Sequence, residues 1–185
     1  MNAERSRGGT ETRDNRENRE VCEKRLEGWV RAYGTAILRT CFVCLSDRQA
    51  AEDAMQETFL KAWKAMDSFQ GRNGAGEKTW LMHIAMNVCR DMQRTRWFRH
   101  IDMRRALEDI PQGVASVLPE DRSLLMDIMS LPDKYKQPIM LYYYQDMTIE
   151  ETAEVLCISK STVHSRLRKA EGMLRLALKG GDCYV

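Results

Sequence analysis

The sequence predicts an all-α chain of two small helical domains joined by a flexible linker. Three observations point to this. Apolar residues recur at three- and four-residue intervals over several long stretches. No stretch alternates apolar and polar residues as a half-buried strand does. The helical period is lost between residues 99 and 118, and a second apolar pattern begins at Pro119. The 185 residues are 43% apolar, enough for one ordinary domain or two small ones with real cores.

Along the chain, Arg5, Arg7, Arg13, Arg16 and Arg19 balance Glu4, Glu11, Asp14, Glu17 and Glu20 without a hydrophobic period, so residues 1–20 are expected to be a disordered tail. The first domain is expected over residues 21–98. Its first helix carries Leu26, Trp29, Val30, Tyr33, Ile37, Leu38 and Cys41 at helical spacing. Ser46-Asp47 breaks the pattern, and Asp47 can cap the next helix. That helix buries Ala51, Ala54, Met55, Thr58, Phe59, Ala62 and Met66, leaving Asp53, Gln56, Glu57, Leu60 and Lys64 on its other side. Residues 69–78 are Gly-rich and polar, a loop. A third helix over residues 79–98 has Trp80, Leu81, Ile84, Ala85, Val88 and Met92 as its core face and turns basic toward its end. Residues 99–118 form the linker, residues 119–179 the second domain and residues 180–185 a short tail. Tyr142, Tyr143 and Tyr144 are read as a helix packing face.

Net charge is only +2, so the whole molecule does not announce a polyanion partner. The distribution does. Arg90, Arg94, Arg96, Arg99, Arg104 and Arg105 cluster in one place, and Lys160, Arg166, Arg168, Lys169, Arg175 and Lys179 in another. No run approaches the ~18 apolar residues of a membrane span, and no signal-peptide core opens the chain, so a cytoplasmic location is expected. The six cysteines are scattered. Cys41 and Cys44 make a lone C-x-x-C without a second pair or a nearby histidine, and core packing is the favoured reading over a redox or zinc role. No nucleotide-binding loop, paired catalytic carboxylates or nucleophile–base set is present, so neither catalysis nor a cofactor is expected.

Residues 147–178 are the most informative stretch. Thr148 and Glu151 form a capping box ahead of a short helix with Ile149, Ala153 and Leu156 on one stripe. The chain turns at Cys157-Ile158, and Ser159 caps a second helix whose apolar face is Val163, Leu167, Ala170, Leu174 and Leu178. Its other side carries Lys160, Ser161, His164, Ser165, Arg168 and Lys169. A short helix, a tight turn and a longer basic, hydroxyl-rich helix make a helix-turn-helix, whose second helix enters the major groove.

The order of motifs is recognisable. Residues 53–63 read DAMQETFLKAW, residues 79–91 read TWLMHIAMNVCRD, residues 131–144 read LPDKYKQPIMLYYY, and the helix-turn-helix follows. This order resembles the sigma-70 family of bacterial RNA polymerase sigma factors, in particular the extracytoplasmic-function (ECF) group, which keeps only regions 2 and 4. The resemblance covers about residues 25–180. It implies that Asp53, Gln56 and Glu57, with Leu60, dock on the clamp helices of core RNA polymerase. It implies that Phe69, Arg72, Lys78, Trp80, Asn87, Arg90, Arg94 and Arg96 meet the melted minus-ten strand, although Trp80 reads more readily as core. His164, Ser165, Arg168 and Lys169 are carried to base or near-base positions at the minus-thirty-five element and Lys160, Thr162 and Arg166 to the backbone, with Ser161 on the same DNA-binding surface. Implied partners are core polymerase through its clamp helices and flap, promoter DNA and an anti-sigma factor; a small-molecule substrate and membrane insertion are not implied.

Three residues depart from the family pattern. Cys157 stands where glycine is usual, His164 where a lysine or arginine is common, and Glu171 where a base is common. The rival reading is a stand-alone helix-turn-helix regulator, which accounts for residues 148–178 but gives Asp53, Gln56 and Glu57 no task.

Overall fold

The computed structural model describes residues 13–69, 76–94, 108–111, 114 and 122–181. Among these every regular element is helical. In chain order they are α1 (Arg13–Leu45), α2 (Arg48–Lys64), a 3-10 turn (Met66–Ser68), α3 (Glu77–Arg94), α4 (Arg122–Ser130), α5 (Asp133–Ile139) running into a π turn (Met140–Tyr144), α6 (Ile149–Leu156) and α7 (Lys160–Gly181).

Helix α1 is 33 residues long and starts within the stretch expected to be a disordered tail. Arginine and glutamate are good helix formers, and pairs such as Arg19–Glu23, 3.1 Å apart at i,i+4, add to their preference. Its core face is Trp29, Ile37, Cys41, Phe42 and Leu45, whereas Val30 is 45% exposed and lies outside it. Asp47 caps α2 by accepting from Ala50 N at 2.8 Å. Alanines 50, 51, 54 and 62 let α2 lie close against α1, with Phe59 and Met66 completing the contact. Helix α3 begins at Glu77, so Glu77 and Lys78 stand in its first turn and not in the loop.

The second group of helices buries Leu125, Ile128, Met129, Ile139, Met140, Leu141, Val155, Leu156, Val163, Leu167 and Ala170. Pro138 stands inside α5, and the missing N–H is followed by the π turn. That turn leaves Tyr142 at 36% and Tyr143 at 51% exposure, so only Tyr144 packs as expected of the tyrosine triplet. The two groups touch. Helix α3 packs along α6, and α1 meets α5 and its π turn. Part of the expected linker is also anchored: Pro111 and Val114 are buried, and Asp109 pairs with Arg48 at 3.1 Å.

Cys41, Cys44 and Cys89 lie together in the core between α1 and α3. A hydrogen bond with Cys89, reinforced by burial, pushes the Cys44 thiol well above its usual value, and a hydrogen bond with Cys41 does the same for Cys89. Protonated, buried thiols are poor nucleophiles and behave as small apolar side chains. Among the described residues no group of three or more histidine, cysteine, aspartate or glutamate side chains is arranged to hold a metal.

The helix-turn-helix forms as its sequence dictates. Glu151 N donates to Thr148 Oγ1 at 3.2 Å, while Thr148 N donates to Glu151 Oε2 at 2.8 Å, closing the capping box. At the far end of α6, Ile158 N donates to Ala153 O at 3.0 Å and Cys157 N to Glu154 O at 3.2 Å. These are the two bonds of a Schellman motif, and they require a left-handed residue at the turn. Cys157 supplies it at φ 53° and ψ 45°. A side chain costs ~1–2 kcal/mol in that conformation, partly offset by the smaller unfolded-state freedom of a non-glycine residue. Cys157→Gly is therefore expected to stabilise the protein by about 1 kcal/mol in urea unfolding; a loss of stability would show that the thiol makes a compensating contact.

Candidate partner and nucleic-acid interfaces

Three surfaces carry the residues singled out by the sequence. On α2, Asp53, Gln56, Glu57 and Leu60 follow i, i+3, i+4, i+7 spacing and share one face. Asp53, Gln56 and Leu60 are exposed and Glu57 is half-buried. Two neighbours hold the acids in place: Gln49 Nε2 donates to Asp53 at 3.1 Å, and Lys61 lies 3.7 Å from Glu57. Leu60, 46% exposed, opens onto an apolar groove of about 420 Å³ lined with Leu26, Phe59 and Trp63 and edged by Glu23. An apolar floor beside fixed acids suits a basic amphipathic partner.

The second surface is the start and outer flank of α3. Phe69 and Trp80 lie within an aromatic cluster rather than free at the surface. Their ring centroids are 4.9 Å apart, and both pack on buried Trp29, at 6.1 and 5.5 Å. Arg25 caps the cluster, 4.9 Å from the Trp29 ring and 5.1 Å from Phe69, and pairs with Glu77 at 3.1 Å. Farther along, Arg90 Nη1 donates to Asn87 Oδ1 at 2.8 Å, and Arg94 sits 3.8 Å from Asp91. Lys78 is drawn to the carbonyl of Gln145. Arg72 and Arg96 lie outside the described residues.

The third surface is α7. Ser159 caps it, accepting from Thr162 N at 3.2 Å and meeting the Ser161 and Thr162 hydroxyls at 2.9 and 2.8 Å. Ser161, His164, Ser165 and Arg168 are exposed, and Arg166 and Thr162 are half-buried. Lys160 ties the start of α7 to α6 through Glu150 at 2.7 Å, a hydrogen bond that holds the Glu150 carboxyl below its usual range. Lys169 stands apart from the stripe of Ser161, His164, Ser165 and Arg168. Its ammonium is 5.8 Å from the Tyr135 ring, with Lys134 at 5.0 Å on the same ring. Burial pushes the Tyr135 phenol up, but the two lysines together outweigh it and leave it below its ordinary value. Glu171 accepts from Tyr143 OH at 2.7 Å, which pushes that phenol up to about 12 and holds the acid toward the π turn. A second apolar groove, of about 550 Å³, runs between α4, the π turn and the end of α7, lined with Leu124, Ile128, Tyr144, Leu174 and Leu178.

Sequence reasoning missed the residues that bridge α3 to the helix-turn-helix. His83 Nδ1 lies 3.1 Å from Val155 O, Asn87 Nδ2 lies 3.0 Å from His83 Nε2, and Thr79 lies 3.5 Å from Glu151. A lone histidine, His83, beside the apolar face of α3 was the available signal. Among the described residues no helix is long and apolar enough to cross a membrane.

Comparison with known proteins places these surfaces in a family. The Sigma-70 region 2 family matches residues 29–99, and the Sigma-70 region 4 family matches residues 122–174. The ECF RNA polymerase sigma factor SigW of Bacillus subtilis is 32% identical over 161 residues, covering 80% of this chain and 85% of SigW. The ECF sigma factor SigL of Mycobacterium tuberculosis is 32% identical over 153 residues, covering 80% and 85% of the two chains. In fold, the chain matches CnrH, solved in complex with the cytosolic domain of CnrY, at a TM-score of 0.65 and 24% identity over 85% of this chain and 90% of that one. It also matches the sigma factor RpoE of Bartonella quintana, solved with the anti-sigma factor NepR, at a TM-score of 0.61 and 21% identity over 91% and 98%. With both conserved regions matched in order and relatives covered over most of their length, this chain belongs to the ECF group of the sigma-70 family of RNA polymerase sigma factors.

Proposed function

We infer that this sigma factor is a dissociable promoter-specificity subunit with no catalytic site of its own, working in the cytoplasm and held in check by an anti-sigma partner. Residues 21–98 act as region 2, residues 99–118 as the linker and residues 119–179 as region 4. The observation that carries this assignment is the pairing, in one chain, of a fixed acidic–apolar face on α2 with an exposed basic, hydroxyl-rich face on α7. A stand-alone DNA-binding regulator has use for the second face only.

Asp53, Gln56, Glu57 and Leu60 bind the clamp helices of core polymerase. The groove over Leu124, Ile128 and Leu174 receives the apolar tip of the flap. Asn87 reads the edge of a base from the melted minus-ten strand, since its amide offers both a donor and an acceptor, while Arg90 and Arg94 hold phosphates. Phe69 and Trp80 shape the strand path from within their aromatic cluster. On α7, Ser161, His164, Ser165 and Arg168 face the minus-thirty-five bases. Lys160, Thr162, Arg166 and Lys169 serve the backbone, Lys169 together with Lys134 on the flank of Tyr135. The anti-sigma partner occupies these same exposed apolar grooves.

In vitro transcription with core polymerase on genomic fragments of the source bacterium tests the function. Promoter-selective transcripts dependent on this chain are expected, and their absence together with no binding to core would overturn it. Asp53→Lys and Glu57→Lys are expected to weaken core binding in titration while circular dichroism stays unchanged; full affinity in both would move the core contact elsewhere. Arg168→Ala is expected to cost ~1–3 kcal/mol on cognate duplex and to relax preference at one position, whereas Lys169→Ala lowers affinity for all sequences and reduces the salt slope by about 1. Equal effects of the two on sequence preference would contradict this division.

A further inference from the structure

The outer stripe of α3 runs into the aromatic corner, and the cation at that corner comes from another helix. At ~100° per residue, Asn87 and Arg94 fall within ~40° of Trp80 around the helix, so the three side chains share one stripe, ~21 Å long at ~1.5 Å per residue. Arg94, with Arg90 at its margin, supplies positive charge at the C-terminal end of the stripe. At the other end the first turn brings an acid, Glu77, ~60° from Trp80. Lys78 lies ~160° from Trp80, on the opposite side of the helix, where its ammonium meets the Gln145 carbonyl. The resemblance to sigma factors counts Lys78 toward the melted strand, but its place around α3 takes it off the stripe.

Arg25 of α1 stands in that place. It lies ahead of residue 29, where the region 2 match begins. Its guanidinium is 4.9 Å from the Trp29 ring centroid and 5.1 Å from that of Phe69, two rings that meet at 86°. Its Nη2 donates to Glu77 Oε1 at 3.1 Å. Two rings and a carboxylate thus fix the plane of a cation whose other N–H groups are left for an acceptor. Gly28, one turn along α1, leaves the helix surface bare beside it: no described atom lies within 4 Å of the place a Cβ would take. The pair with Glu77 does little for stability, since its side chains are 39% and 37% exposed and an ion pair that open to water is weak. It is also readily exchanged, because a phosphate offers a guanidinium the same forked, charge-assisted contact as a carboxylate.

We propose that Arg25 is a backbone clamp for the melted strand, exchanging Glu77 for a phosphate where the strand rounds the Phe69–Trp80 corner. The stripe of α3 then has a cation at both ends, one from its own last turn and one from α1. Glu77 is a competitor for the same cation, and its own charge opposes the incoming phosphate. This rests on the minus-ten reading of α3, since a strand that follows the stripe from Arg94 past Asn87 arrives at Arg25.

The clamp gives the two halves of one ion pair opposite effects, which a structural tie does not. The probe is a fluorescein-labelled oligonucleotide carrying the non-template strand of a promoter mapped with the parent, titrated by anisotropy at several salt concentrations against each full-chain variant in complex with core polymerase. Arg25→Gln is expected to bind about tenfold more weakly at low salt. It is also expected to lower the slope of log affinity against log salt by ~0.7, the share of one phosphate contact on a single strand. Arg25→Lys keeps the charge and is expected to keep the slope, while recovering part of the affinity, because an ammonium offers no planar fork. Glu77→Gln is expected to bind about threefold more tightly. Equal losses in Arg25→Gln and Glu77→Gln mark the pair as a structural tie and overturn the clamp, as does a parental salt slope in Arg25→Gln. Should Arg25→Gln lose its helical circular dichroism, Glu77→Gln decides, and unchanged or weaker binding overturns the clamp. A parent that yields no promoter-selective transcript fails the promoter reading instead. Labelled oligo-dT and the free full chain then decide the clamp, which falls unless Arg25→Gln binds more weakly than the parent and Glu77→Gln more tightly.

Discussion

Helix α3 has more apolar surface than one neighbour can cover, and the rest of the structure follows from that. At ~100° per residue, Leu81, Met82, Ala85, Met86, Val88 and Cys89 sweep about half of the helix circumference, and all are at most 2% exposed. Helices α1 and α2 cover part of that arc and α6 covers more. A helix buried on this scale cannot be left open on one flank without exposing methionine and valine to water. The polar groups at the margin of the arc, Thr79, His83 and Asn87, then decide which neighbour fits and in which register.

The first turn of α3, helix α1 and the residue after the 3-10 turn meet through aromatic rings. Trp29, Phe69 and Trp80 form one cluster, capped by Arg25. This explains why the chain between α2 and α3 leaves and re-enters the fold at fixed points. Phe69 anchors the exit and Trp80 the return. The corner is thereby a rigid aromatic shoulder, capped by the Arg25 guanidinium.

Much of this was legible in the sequence because it is local. The capping box at Thr148 and Glu151, the turn at Cys157, the cap at Ser159 and the acidic face of α2 each depend on residues within one or two helical turns. Their spacing carries the whole message. The early start of α1 was not legible, because charged helix formers without an apolar stripe look like a solvated tail. The exposure of Tyr142 and Tyr143 was not legible either, because it follows from a π turn after Pro138. Least legible was the bridge from α1 and α3 to the second group of helices. Gln145 and His83 find partners far away in the chain, and no period or spacing records such a match. Lys169 shows the same limit on a smaller scale. Its spacing in α7 does not record that α5, with Lys134 and Tyr135, lies beside its ammonium.

The burial of Pro111 and Val114, with Asp109 held by Arg48, sets the length of a leash. Measured from the end of α3 at Arg94 to the start of α4 at Arg122, the covalent connection extends to ~95 Å at most, at ~3.4 Å per residue. Measured from the anchor at Val114, the same connection reaches only ~28 Å. With the anchor seated, the connector confines the second group of helices to the neighbourhood of α3. The buried side chains of Pro111 and Val114 thus shorten the reach of the connector from ~95 Å to ~28 Å.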